Sequence, residues 1–167
     1  MPAIRLDAVG TGSDVFIDAN VLVYGISGRS AECLAFLQRC ASEDIVGVTS
    51  LPIINEACHR FMLLEARARG HVQQERATEL RRRPEVIRGL TDYWVWTRKI
   101  FELNLLIVGL DESILRRAQL NREAYGLLTN DSVLVATMEW YALDHLATRD
   151  EDFDRVTPLT VCRPADI

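Results

Sequence analysis

The sequence predicts an α/β fold, a parallel sheet covered by helices on both faces, and three observations carry the prediction. Short apolar runs rich in β-branched residues recur at 14–18 (DVFID), 45–50 (IVGVTS), 105–110 (LLIVGL), 145–150 (HLATRD) and 159–162 (LTVC). Segments with apolar residues at helical spacing separate them. The strand-like runs are too apolar for a sheet with one wet face, as expected of strands buried on both sides. Strands that alternate with helices pair in parallel, because a parallel pair needs a crossover long enough to be a helix.

Each element has its own local reason. The first run follows a Gly-Thr-Gly-Ser turn and ends at Asp18. Residues 30–42 place Ala31, Leu34, Leu37 and Ala41 along a helix, with Ser30 as its N-cap. Pro52 opens the helix after the second strand, in the first turn where proline is tolerated, and Ile54, Ala57, Cys58, Phe61 and Leu64 form its apolar stripe. Residues 65–100 are rich in Arg and Glu and are broken at Gly70 and Pro84, which predicts two helices. A helix from Asp111 to Ala124 and another from Thr-Asn-Asp (129–131) through Leu134, Val135, Met138 and Tyr141 complete the set. All this forms one domain over 1–167, with 1–12 as an N-terminal tail and 65–104 as a helical insertion.

Composition narrows the function. A chain of 167 residues, 49% apolar, is long enough to bury roughly 70% of its unfolded surface without a disulfide or zinc staple. No apolar run approaches the ~18 residues of a membrane span. The start, MPAIRLDAVGTGSD, lacks the basic and apolar regions of a secretory signal. A cytoplasmic protein with no membrane partner is therefore expected. The four cysteines show no C-x-x-C pair and are expected to be buried, reduced thiols. Nineteen basic against twenty-four acidic residues give a net charge of −5, which argues against coating nucleic acid by bulk attraction but not against an enzyme acting on it.

Four acids fall where a solvated helix face explains them poorly. Asp18 directly follows a buried strand, where an unpaired carboxylate is costly; it either caps the next turn or binds a cation. Asp150 repeats the pattern after the strand LATR, within the acidic run 150–154. Asp131 lies in the first turn of a helix, a place that also suits an acid by the helix dipole alone. Glu56 lies off the apolar stripe in the early turns of its helix, as a solvent-facing residue would. In a parallel sheet, however, strand ends and helix starts share one edge, and all four acids belong to it. Carboxylates so gathered raise one another's pKa, and a divalent cation resolves the conflict. Oxygen ligands without His or Cys select Mg²⁺ or Mn²⁺, and such an ion suits phosphodiester hydrolysis.

The ordered set FIDANVLVY, INE opening a helix, TNDSVLVATM and ATRDEDF resembles the PIN domain family, in particular VapC-type toxins of toxin–antitoxin pairs, from Asp14 to about Val161. The resemblance implies a Rossmann-like three-layer α/β/α sandwich with a mainly parallel sheet of four to five strands. It also implies an Mg²⁺- or Mn²⁺-dependent endoribonuclease site, with Asp18, Asp131 and Asp150 as metal ligands and Glu56 ligating directly or through water. Asp152 is the alternative to Asp150. Asn20 would hold Asp18, and Thr129 or Asn130 would orient Asp131. Arg149 is assigned to substrate binding. The implied partners are RNA, a cognate antitoxin and a second copy of the chain. The arginines Arg76, Arg81, Arg82, Arg83 and Arg88 match no motif and are expected to pair with Glu75, Glu79 and Glu85; Trp94 and Trp96 are expected in the core or a dimer contact.

Other readings compete less well. A haloacid-dehalogenase-like phosphatase needs a second Asp where Asn20 stands, and a lysine near the later acids. The only lysine is Lys99. No G-K-[ST] is present for a P-loop. A housekeeping RNA-processing nuclease and a weakly active scaffold working through protein contacts remain as alternatives.

Overall fold

A computed structural model describes residues 3–167 and places six strands, all parallel, in one sheet. β1 (Ile4–Arg5), β2 (Asp14–Ile17), β3 (Val46–Ser50), β4 (Leu106–Val108), β5 (His145–Ala147) and β6 (Thr160–Arg163) stand in the order β1-β6-β5-β2-β3-β4. β2 is central, with Phe16 level with Val48 on one side and Leu146 on the other. Its residues Val15, Phe16 and Ile17 are wholly buried, as a strand covered on both faces must be. The chain leaves β2 toward β3 and β4, then returns to its other side as β5 and β6. The order therefore reverses between β2 and β5, which opens a crevice at their carboxyl ends.

The expected tail takes part in this sheet. Ile4–Arg5 pairs with β6, and the short 3₁₀ turn Leu6–Ala8 buries Leu6 while Val9 closes over the core. Covering the edge of β6 and burying two apolar side chains orders a segment whose polarity suggested none; residues 1 and 2 of that tail lie outside the described residues.

Directly after Asp18 the chain forms α1 (Ala19–Ile26), a helix that its β-branched residues disfavour locally. Burial of Val21, Leu22 and Val23 overrides that preference. α2 (Ala31–Ala41) begins at Ser30, whose hydroxyl accepts from the Cys33 N–H at 2.9 Å as expected of an N-cap. Its buried face is Cys33, Phe36, Leu37 and Cys40, not the expected stripe, and Leu34 is 41% exposed. The large Phe36 ring decides the rotation, since it gains most from burial. Gly25 lets α1 and α2 close: a Cβ there would stand 2.7 Å from Leu37 Cδ1.

α3 (Leu51–Ala68) carries Pro52 in its first turn. The following segment forms three helices rather than two: α4 (Ala77–Arg81), α5 (Pro84–Gly89) and α6 (Asp92–Ile100). Leu63, Ala66, Val72, Leu80, Val86 and Leu90 make a small core of their own beneath it. Glu65 of α3 is buried, accepts from the N–H groups of Thr91 (2.9 Å) and Tyr93 (2.8 Å), and pairs with Arg69 at 2.6 Å. One carboxylate thus caps α6 from a neighbouring helix. Of the expected Arg–Glu pairs in this segment, only Arg83–Glu85 (3.7 Å) forms; Glu75 instead takes Arg29 and Arg67. Trp96 packs against Phe61, with ring centroids 5.7 Å apart, whereas Trp94 is half exposed.

α7 (Glu112–Tyr125) is capped by Asp111, which accepts from the N–H groups of Ser113 and Ile114. It ends at Gly126 in the left-handed region (φ +64°), a conformation glycine adopts without a Cβ penalty. That turn leads into α8 (Thr129–Trp140), which packs along α7 and carries Asp131 in its first turn. The four cysteines are free thiols, with Cys33, Cys40 and Cys162 buried as expected and Cys58 partly exposed. Among the described residues no helix is long and apolar enough to cross a membrane.

Candidate active site

At the mouth of the β2–β5 crevice a closed hydrogen-bond network holds Asp18, which is only 8% exposed. One carboxylate oxygen accepts from the Ala19 N–H at 2.6 Å. The other accepts from the Asn20 side-chain amide and from the Thr148 hydroxyl, the latter at 2.7 Å. Thr148 in turn accepts from Asn20 Nδ2 (2.9 Å) and from the Asp150 N–H (3.0 Å), while Asn20 Oδ1 accepts from the Arg149 N–H (3.0 Å). The Thr148 hydroxyl therefore uses its one donor and both lone pairs. Sequence gave Asn20 the task of holding Asp18, and the geometry agrees. Thr148 was missed; its only signal is its place on the last step of a buried strand, two residues before an acid.

Asp18 is both a helix cap and a buried acid. The cap reaches only the Ala19 N–H, and burial still pushes the Asp18 carboxyl up to about 6, with the charge of Glu56 adding to the rise. Hydrogen bonds from Thr148 and Ala19 and the charge of Arg60 oppose it. Asp131 is likewise raised to about 6, by burial first and then by the charges of Asp150, Asp18 and Asp152. Glu56 is raised by burial and by Asp131, against the pull of Arg60. The helix-start position of Asp131 would by itself favour its ionised form; burial, with the neighbouring acids, prevails. Asp18, Glu56, Asp131 and Asp150, drawn from 133 residues of chain, thus lie within reach of one another's charge.

Other expected residues are placed differently. Asp152 acts on Asp131 less than Asp150 does, and its carboxylate is paired with Arg155. The Asp150 carboxylate accepts from the Asp152 N–H at 2.8 Å, capping the 3₁₀ turn Glu151–Arg155. Neither Thr129 nor Asn130 bonds the Asp131 side chain; they line the recess that Glu56 and Asp131 share, and the Thr129 carbonyl accepts from the Ser132 hydroxyl. Glu56 is half buried instead of facing solvent. Arg60, one turn along α3 from Glu56 and on the same face, was also missed, although the Glu-x₃-Arg spacing marks it.

The donor set at this edge is all oxygen, which fits a hard divalent cation. Among the described residues no three His, Cys, Asp or Glu side chains already converge to ligand spacing.

A family model for the PIN domain matches residues 15–158. The chain belongs to the PIN domain family. Two curated proteins of Methanocaldococcus jannaschii are similar to this PIN domain. Ribonuclease VapC2 is 24% identical over 151 residues, 88% of this chain and 91% of the relative. Ribonuclease VapC6 is 37% identical over 59 residues, 35% of this chain and 39% of the relative. Among solved structures, a toxin–antitoxin complex from Klebsiella pneumoniae matches with a TM-score of 0.54 at 20% identity, covering 92% of this chain and 99% of that one. VapBC2 from Rickettsia felis, bound to a DNA fragment from its promoter, matches with a TM-score of 0.56 at 15% identity, covering 90% and 98%. These structures share the fold of the PIN domain described here, a three-layer sandwich whose sheet carries six strands where four to five were expected.

Proposed function

We propose that this PIN domain is a metal-dependent endoribonuclease and the toxin of a type II toxin–antitoxin pair. The observation that carries the reading is the acidic cluster itself. Three carboxyls are driven above their ordinary pKa by burial and by one another at the switch-point crevice, an arrangement that costs stability unless a cation answers it. The full-length similarity to a protein named as a ribonuclease supports RNA as substrate.

In this reading Asp18, Asp131 and Asp150 hold Mg²⁺ or Mn²⁺, with Glu56 acting directly or through water. When bound, such an ion lowers the pKa of a water and offsets charge on the phosphoryl group in flight. Asn20 and Thr148 donate to one Asp18 carboxylate oxygen, and the other, which accepts only from the Ala19 N–H, keeps a lone pair that would serve the ion. Glu56, whose carboxyl burial raises above its ordinary range, would take a proton from the attacking water. Water oxygen bonds to phosphorus as the bond from phosphorus to the leaving ribose oxygen breaks. An antitoxin partner draws support from the match to a toxin–antitoxin complex and to VapBC2, and the exposed Leu51, Leu115, Leu128 and Trp140 offer apolar surface to it or to a second copy.

The test is cleavage of single-stranded RNA in Mn²⁺ by wild type and by Asp18→Asn. Wild type cuts, EDTA stops it, fresh Mn²⁺ restores it, and the variant is inactive while its far-UV circular dichroism is unchanged. Cleavage by the variant at the wild-type rate, or in EDTA, overturns the reading.

A further inference from the structure

An open cleft of about 610 Å³ flanks the acidic cluster on the side of α1 and α3, lined by Asn20, Tyr24, Arg60, Arg149, Asp150 and Arg163 among others. It brings three guanidinium groups together on a chain whose net charge is −5. Arg163 is already committed, with Asp154 at 2.8 and 3.1 Å and the Asp150 carbonyl at 2.9 Å. Arg60 and Arg149 differ from it: among the described residues neither side chain has a carboxylate within ion-pair distance or a hydrogen-bond acceptor. Arg60 is half buried and is propped over the Tyr24 ring, 5.6 Å from its centroid, a contact that holds a cation in place without neutralising it. The opposite flank, lined by Glu56, Leu128, Thr129, Asn130 and Asp131, has no cation.

We propose that Arg60 and Arg149 form a phosphate subsite that grips the backbone of single-stranded RNA beside the acidic cluster. The inference rests on the ribonuclease reading and specifies how that site takes its substrate. A guanidinium is weakly hydrated, and its donor fork matches phosphate oxygens. Two unpaired guanidiniums beside a cluster of acids serve an anionic strand that the acids would otherwise repel. Tyr24 fixes where Arg60 stands, and Arg149 follows from the Asn20 bond to its backbone N–H. The strand is thereby held by backbone charge on the Arg60 flank, beside the recess of Glu56 and Asp131, whose own lining carries no cation.

The experiment measures binding of a fluorescein-labelled, fully 2′-O-methyl single-stranded RNA in EDTA by anisotropy across a salt series. Wild type, Arg60→Ala, Arg149→Ala and the double variant are compared, with Arg81→Ala and Arg88→Ala as exposed controls. Each cleft substitution is expected to weaken binding about fivefold at low salt. Each also flattens the slope of log K against log salt by about 0.7, and the pair by about 1.4. The controls keep the wild-type slope. A merely structural role would weaken binding without changing that slope. The Arg149 side chain is exposed and makes no hydrogen bond or ion pair among the described residues, so R149A answers even where R60A is poorly folded. Unchanged slopes in both single variants overturn the subsite while leaving Mn²⁺-dependent cleavage standing. A wild type that neither binds nor cuts RNA overturns subsite and ribonuclease reading together.

Discussion

Replacing Asp18 by Asn should make the metal-free protein more stable above neutral pH, even as it removes activity. Folding raises the Asp18 carboxyl from 3.8 to about 6, so the folded state holds its proton more tightly than the unfolded chain does. Stability from this group is then greatest below about pH 4, falls as pH climbs to about 6, and stays at its lower level beyond. The difference of about 2 pKa units corresponds to about 3 kcal/mol at pH 8. Asparagine can turn its oxygen toward Asn20 and Thr148, whose donors share one carboxylate oxygen of Asp18. Its own amide then faces the Ala19 N–H, so one hydrogen bond worth about 1 kcal/mol is lost. A net gain of about 2 kcal/mol remains, or roughly 4–8 °C in Tm for a chain of this size. Urea denaturation followed by circular dichroism in EDTA, from pH 4 to pH 8, reads the effect as the difference between the two proteins; loss of the Asp18 charge also relieves Asp131, which adds to the gain in the same direction. That difference should open between pH 4 and pH 6 and then hold. Added Mn²⁺ should stabilise the wild type and narrow the gap, because a ligand of the folded state adds stability by mass action. A variant that is less stable than wild type at pH 8, or whose advantage does not change with pH, would refute the argument.

Three further outcomes follow from the same contacts. Thr148→Val keeps the shape but removes the hydroxyl that serves Asp18, Asn20 and the Asp150 N–H; Mn²⁺ affinity by calorimetry and RNA cleavage should each fall roughly 10–100-fold. Glu65→Ala strips the carboxylate that caps α6 and pairs with Arg69; Arg69 keeps Asp92, so the orphaned N–H groups set the cost, and chemical denaturation should show a loss of about 1–3 kcal/mol. Gly47→Ala puts a Cβ 2.5 Å from Leu105 Cδ2, 3.0 Å from Ile17 Cδ1 and 3.1 Å from Cys40 Sγ; a loss of about 1 kcal/mol is expected, with cleavage unchanged.

The sequence by itself determined the α/β class, the parallel sheet and the edge on which the acids fall, because each follows from a local pattern. Apolar runs without alternation define strands buried on both faces, and a parallel strand fixes which of its ends a given residue occupies. Thus Asp18 and Asp150 are assigned to one edge as soon as DVFID and LATR are strands. Ser30 and Asp111 likewise cap the helices they precede, since a cap needs only a few residues of local chain.

What depends on distant segments was decided by tertiary structure alone. α1 exists because burial of Val21, Leu22 and Val23 outweighs their weak helix preference. Ile4–Arg5 is a strand only because β6 offers it an edge. The rotation of α2, the capping of α6 by Glu65 and the failure of most Arg–Glu pairs in 65–104 all turn on partners far along the chain. The same holds at the site: Thr148 holds Asp18 across 130 residues, and Arg60 acts on Asp18 and Glu56 through space. Hydrogen bonds and charges act through distance in space and not along the chain, so composition and spacing can nominate the acids but only packing selects the groups that orient them.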